Sequence, residues 1–192
     1  MTFRKAILEL PLVRTLMFGT IMLLPSGAVA CGYHNDVALL RGVLNWVYPD
    51  ALHVVGAMAK AVSEKRLPPP TFEREPWGYH RIVRSLHPYA QQLRVFSGET
   101  RPPEFSLLLI EPMLWTRFGS EDGELRTQVH ASGPQAEDLV LITGEEVIRE
   151  VARNRLTLGE AHRLGLIRLY GKEEQVALFL TLYNQVGRAG SE

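Results

Sequence analysis

One cysteine and six histidines are the side chains in this sequence best suited to metal or nucleophilic chemistry. Cys31 and His34 lie three apart, and soft sulfur with imidazole suits copper or zinc. With the free amine that cleavage before Cys31 would create, they form a small amino-terminal metal cluster. His80 and His87 are seven apart and can share a helix face, but no H-E-x-x-H pattern accompanies them. His53 lies inside an apolar stripe and reads as a core or boundary residue; His130 and His162 stand apart from these. The sequence contains no G-x-S-x-G, no G-x-x-x-x-G-K and no C-x-x-C, so no nucleophile elbow, phosphate loop or redox pair is legible. Histidine and cysteine thus point to metal handling at most, and no catalytic residue is assigned.

The elements that position these residues begin with an address. Arg4, Lys5 and Arg14 make the amino terminus basic, although Glu9 sits among them. A ten-residue apolar run, 15–24, follows, then Pro25-Ser26-Gly27 and Ala28-Val29-Ala30. Charge, short apolar core and A-x-A site are the grammar of a signal peptide, residues 1–30; the run is about half of the ~20 residues a bilayer span needs. Cleavage after Ala30 would leave residues 31–192, with 18 basic and 20 acidic side chains and a net charge of −2. Ala28-Val29-Ala30-Cys31 partly resembles a bacterial lipobox, with Ala28 where that motif has Leu. Acylation of Cys31 would be the chain's one route to a membrane, each buried CH₂ contributing ~0.8 kcal/mol. The expected location is therefore periplasmic, with or without a lipid anchor.

Composition narrows the class. The 192 residues carry 21 basic and 21 acidic side chains, with 46% apolar and 22% charged residues. That is globular composition, too apolar and too neutral for a disordered tail. It lacks the basic excess of a nucleic-acid binder, and one cysteine cannot build a disulfide framework.

Residues 31–76 read as a helical extension with a Pro-rich connection. Asp36 can cap a helix striped by Val37, Leu40, Val43, Leu44 and Val47; Pro49 interrupts it, Asp50 can cap a restart, and Leu52, Val55, Met58, Ala59 and Val62 repeat the spacing. Residues 63–70, ending in three prolines, break the pattern. Ile82, Leu86, Tyr89, Leu93 and Phe96 predict a helix over 77–96, kinked or divided at Pro88. Strands are expected at 105–111 and 113–118, interrupted by Pro112, then at 125–130 and 138–143. Thr143 and Glu146 fit a capping box, as do Thr157 and Glu160. Gly165 ends the second helix, a strand follows at 166–170, and Val176, Phe179, Leu180, Tyr183 and Val186 stripe a closing helix.

The order of these pieces resembles the sterol carrier protein 2 (SCP2-like) family. The likeness runs over about 77–187 and is strongest at 137–183. It is carried by the strand 137–143 opened by Asp138, the Arg155-Leu156-Thr157-Leu158-Gly159-Glu160-Ala161 stretch, the Leu164-Gly165 to Gly171 strand and the final striped helix; residues 31–70 and the 188–192 tail lie outside it. The resemblance implies an α+β fold, with a mostly antiparallel sheet of about five strands covered by helices over an apolar tunnel. It also implies a non-catalytic carrier of lipids or other hydrophobic molecules, without a cofactor. Candidate wall residues are Leu107, Leu109, Trp115, Val129, Leu141, Val151, Phe179 and Tyr183. Two other functions remain open. One is an accessory role in a periplasmic or membrane complex, through 36–62 and its Trp46, Tyr48 and His53. The other is metal handling by Cys31 and His34.

Overall fold

The computed structural model describes residues 43–70, 77–98, 103–121 and 123–188. The signal peptide, Cys31, His34, the start of the helical extension and residues 189–192 lie outside the described residues.

Residues 43–47 are helical, and α1 spans His53–Ser63, α2 Trp77–Ser97. Strands β1 (Phe105–Leu109), β2 (Leu114–Glu121) and β3 (Glu124–Val129) follow as a meander, then β4 (Leu139–Thr143), α3 (Glu145–Ala152), α4 (Leu158–Arg163), β5 (Ile167–Tyr170) and α5 (Glu173–Tyr183). The sheet order is β3-β2-β1-β4-β5. Only β1 and β4 pair in parallel; the other three pairs are antiparallel. This is the expected α+β, mostly antiparallel five-stranded sheet.

The two central strands are the most apolar ones, and both are buried on both faces, as their near-continuous apolar runs require. On the first face Phe105, Leu107, Leu109, Leu139 and Leu141 pack under α2 to α5. On the second, Leu108, Ile110, Met113, Val140 and Ile142 are covered by Leu44, Ala51 and Val54 of the amino-terminal segment. Pro112 falls in the turn between β1 and β2, where its missing donor costs no ladder bond.

Four local expectations change. Pro88 does not divide α2, which runs unbroken through it. A proline removes one rung of the helical ladder, and burial of Leu86, Tyr89, Ala90 and Leu93 around it holds the helix. Asp50 does not cap α1: it adopts φ 65° in the turn before it, and Leu52 is the N-cap, without a side-chain cap bond. His53 is exposed, its side chain 71% accessible and 3.7 Å from the Asp50 carboxylate; Leu52 and Val55 beside it are exposed too, and Ala51, Val54 and Ala61 form the buried side of this segment instead.

The fourth change is at α3. Thr143 is not its cap; its hydroxyl donates to the Leu166 carbonyl at 2.7 Å and ties β4 to the start of β5. Gly144 takes the N-cap position, and Glu111 reaches across from the β1–β2 turn to accept from the Glu145 N–H at 3.0 Å. A Cβ on Gly144 would lie 2.1 Å from Met58 Sδ and 2.6 Å from Glu111 Oε1, so any larger residue would displace the ends of both side chains. The second capping box is present as expected: Thr157 Oγ1 accepts from the Glu160 N–H and Glu160 from the Thr157 N–H, at 3.1 and 3.2 Å. Gly165 turns the chain after α4 at φ +72°.

Candidate functional site

The first face of the sheet is the candidate site. Cross-strand partners share a face, so one row across it reads Val129, Thr116, Leu107, Leu141. The next reads Thr127, Phe118, Phe105, Leu139. Six of the eight sequence-predicted wall residues are fully buried in this core: Leu107, Leu109, Leu141, Val151, Phe179 and Tyr183. Val129, half-buried, packs at its rim. Trp115 does not join them. One residue removed from Leu114 and Thr116 in β2, it projects to the second face and packs against Tyr48, ring centroids 6.2 Å apart.

An aromatic column crosses the core. Tyr89 of α2 meets Phe118 edge-on at 5.8 Å; Phe118 stacks on Phe105 at 4.6 Å; Phe105 meets Phe179 at 5.1 Å, and Phe179 meets Tyr183 at 5.0 Å. Such pairs add about 0.5–1.5 kcal/mol each beyond their burial.

Polar atoms inside this core divide into satisfied and unsatisfied ones. The Tyr183 hydroxyl shares a 2.7 Å hydrogen bond with Ser97 Oγ. The hydroxyls of Tyr89, Thr116 and Thr127 are buried with no hydrogen-bond partner. All three surround Phe118: Tyr89 by ring contact, Thr127 as its cross-strand partner, Thr116 two residues along the same face. An unsatisfied buried group costs about 1–3 kcal/mol. Burial drives the Tyr89 phenol far above its ordinary pKa, with the nearby Tyr183 adding to the shift, so Tyr89 is a neutral donor at every physiological pH. The three hydroxyls thus form a polar spot set within apolar walls. Sequence reasoning placed Tyr89 in an apolar stripe and left Thr116 and Thr127 unremarked. Their signal was a threonine spaced two residues from an inward-facing apolar residue in each of two paired strands.

The second face is satisfied throughout its ionic part. Asp138, its side chain 3% accessible, accepts from Ser106 Oγ at 2.6 Å, Arg117 Nε at 3.1 Å and the Gln135 N–H at 3.1 Å. Arg117 also donates to Glu104 at 2.5 Å. This cluster fastens β1 and β2 to the start of β4.

The histidines are not gathered. His80, His87 and His130 are exposed on separate positions. Burial, then the Arg168 charge, lowers the pKa of His162. Among the described residues no group of three or more His, Cys, Asp or Glu could hold a metal ion, and no helix is long and apolar enough to cross a membrane.

No family model and no curated protein matches the chain. Solved structures do show partial likeness. Sterol Carrier Protein 2 Like 2 from Aedes aegypti is 17% identical, with a TM-score of 0.35, over 50% of this chain and 94% of that one. The stereoselective inverting sec-alkylsulfatase Pisa1 from Pseudomonas sp. is 15% identical, with a TM-score of 0.33, over 53% of this chain and 14% of that one. A double mutant of the sec-alkyl sulfatase is similar at 17% identity and a TM-score of 0.35, over 46% and 13%. The chain spans only about one-seventh of the sulfatases' length, and overlap at these TM-scores carries no argument about activity.

Proposed function

We propose that the protein is an SCP2-like, non-catalytic binder of a hydrophobic molecule with one polar end, held on the first face of the sheet. The observation that carries this reading is the trio of partnerless hydroxyls, Tyr89, Thr116 and Thr127, within an otherwise apolar core. A core built for stability alone would hold Phe and Val there and be relieved of the desolvation cost. The walls are Leu107, Leu109, Val129, Leu141, Val151, Phe179 and Tyr183. Trp115 belongs to them only if the cargo reaches the second face.

The closing helix α5 suits the way in. It is apolar on more than one side: Phe179 and Tyr183 are buried, Leu180 and Leu182 half-buried, Leu178 43% exposed. A helix with one dry and one wet face would be amphipathic; α5 instead carries apolar side chains on several sides. Binding would draw on about 25 cal/mol per Å² of apolar surface removed from water.

Delivery outside the cytosol by residues 1–30, with Cys31 acylated or free, completes the proposal. Native mass spectrometry of protein purified from its own envelope tests both parts. A retained hydrophobic molecule, a chain beginning at Cys31, and displacement by a fluorescent fatty acid are expected. A ligand-free chain that fails to bind the fluorescent fatty acid overturns the carrier reading, and an uncleaved amino terminus overturns export.

A second reading, a protein partner docking on the 36–62 segment, is favoured by Trp46, 87% exposed beside Val43 and Val47 at 52% and 65%. Aromatic anchors are frequent at interfaces. A Trp46→Ala variant that captures the same envelope proteins as the unaltered chain would remove it.

A further inference from the structure

A different part of the molecule carries a site of another kind, independent of the carrier reading. Arg81, Arg84 and Ser85 recur on α2 at i, i+3 and i+4, and so lie along one stripe of that helix. Arg149, Ala152 and Arg153 repeat the same spacing on α3. The two stripes face each other across a concavity of about 300 Å³. Arg81, Arg84, Arg149 and Arg153 border it together with Ser85, Pro88 and Ala152, and no carboxylate is among the lining residues.

Buried carboxylates outside the lining hold these arginines. Glu145, Glu146 and Glu150 of α3 are buried, with side chains only 11%, 9% and 8% accessible. Glu145 holds Arg81 through two bonds, 2.6 and 3.0 Å. Glu146 pairs with Arg149, and Glu150 sits 3.6 Å from Arg153 while holding Arg155 at 2.5 Å. Three of the bordering arginines are thus held by buried carboxylates. Arg84 makes no ion pair among the described residues. Five arginines meet three glutamates here, so the surface presented to the concavity is cationic.

Arginine forks match oxyanions, and a tetrahedral dianion can accept from several forks at once where a carboxylate is satisfied by one. The volume lies at the lower end of small-ligand pockets, enough for a phosphate and a few attached atoms. We propose that this concavity binds a phosphate monoester group, with Arg84 and Arg153 as its principal ligands and Arg81 and Arg149 as the pair pre-set by Glu145 and Glu146.

The group could belong to a free phosphate ester or to a lipid headgroup, and two arms separate these sources. In the first, the full chain is titrated calorimetrically with inorganic phosphate and with glycerol 3-phosphate at low ionic strength. In the second, it is floated with vesicles of phosphatidic acid or of phosphatidylcholine alone. Saturable binding is expected in at least one arm, and that arm names the source. Arg84→Gln with Arg153→Gln should weaken it about tenfold or more. Arg126→Gln, which deletes an exposed arginine paired with Glu121 on the far hairpin, should leave it unchanged. Should the double variant unfold by circular dichroism, Arg84→Gln alone, which breaks no recorded ion pair, must still weaken binding severalfold. Absence of binding in both arms, or binding equal in unaltered chain and arginine variants, overturns the proposal.

Discussion

On the second face of the sheet, Asp138 accepts from a hydroxyl, a guanidinium and a backbone N–H. On the first face, the hydroxyls of Tyr89, Thr116 and Thr127 accept and donate nothing. Both faces are buried and both belong to one sheet, so the difference is not one of exposure. Buried polar groups that are fully paired fasten strands together; those left unpaired cost stability and return none of it. The second face is therefore structural, and the first has conceded stability at one spot. Departures of this kind concentrate where a molecule binds something.

The largest expected effect tests whether the first face is nonetheless the main core. Phe105 touches Phe118, Phe179 and Tyr183, so Phe105→Ala should cost about 4 kcal/mol in urea unfolding; a loss under about 1 kcal/mol would show that the column is not packed as described. Next, Asp138→Ala on the second face should cost about 3 kcal/mol, because it strands Arg117 with only Glu104 for a partner. That variant should leave binding of a fluorescent fatty acid unaltered; a binding defect would erase the division between the faces.

Tyr89→Phe and Thr116→Val should act in the opposite direction on stability. Each removes an unsatisfied hydroxyl, so unfolding should become harder by about 1 kcal/mol while affinity for a polar-headed hydrophobe falls. If stability drops instead, the hydroxyls have partners and the contrast fails.

The smallest effect is a pH contrast within α3. Hydrogen bonding from Arg155 lowers the Glu150 pKa. Its contribution is therefore complete above the ordinary glutamate value of ~4.3 and lost as pH falls toward the lowered one. Burial raises the Glu146 pKa, against the pull of Arg149. Its ionisation therefore subtracts stability as pH climbs from ~4.3 through the raised value. Denaturation midpoints between pH 3 and 7 should show Glu150→Gln flattening the acid loss and Glu146→Gln deepening it, each by about 1 kcal/mol or less.

Much of this architecture was legible in residue order. Continuous apolar runs at 105–109 and 139–143 marked the central strands, because only a strand covered on both faces needs no alternation. The Thr157–Glu160 box and Gly165 marked helix ends, since these act through bonds a few residues long. The site was legible only in part. Seven of the eight named wall residues meet in or at the rim of one core, but Trp115 was misplaced relative to them. In a run apolar on successive residues, period two gives no clue to which face is which.

The sequence by itself determined the elements, the capping box of α4 and the apolar character of the interior, all of which depend on neighbours within one or two turns. Tertiary structure alone decided that Glu111, 34 residues away, caps α3 and frees Thr143 to hold Leu166. It alone brought three hydroxyls from α2, β2 and β3 around Phe118 without a partner. Whether a polar group is satisfied depends on atoms that approach only when distant segments pack, and no local pattern records that.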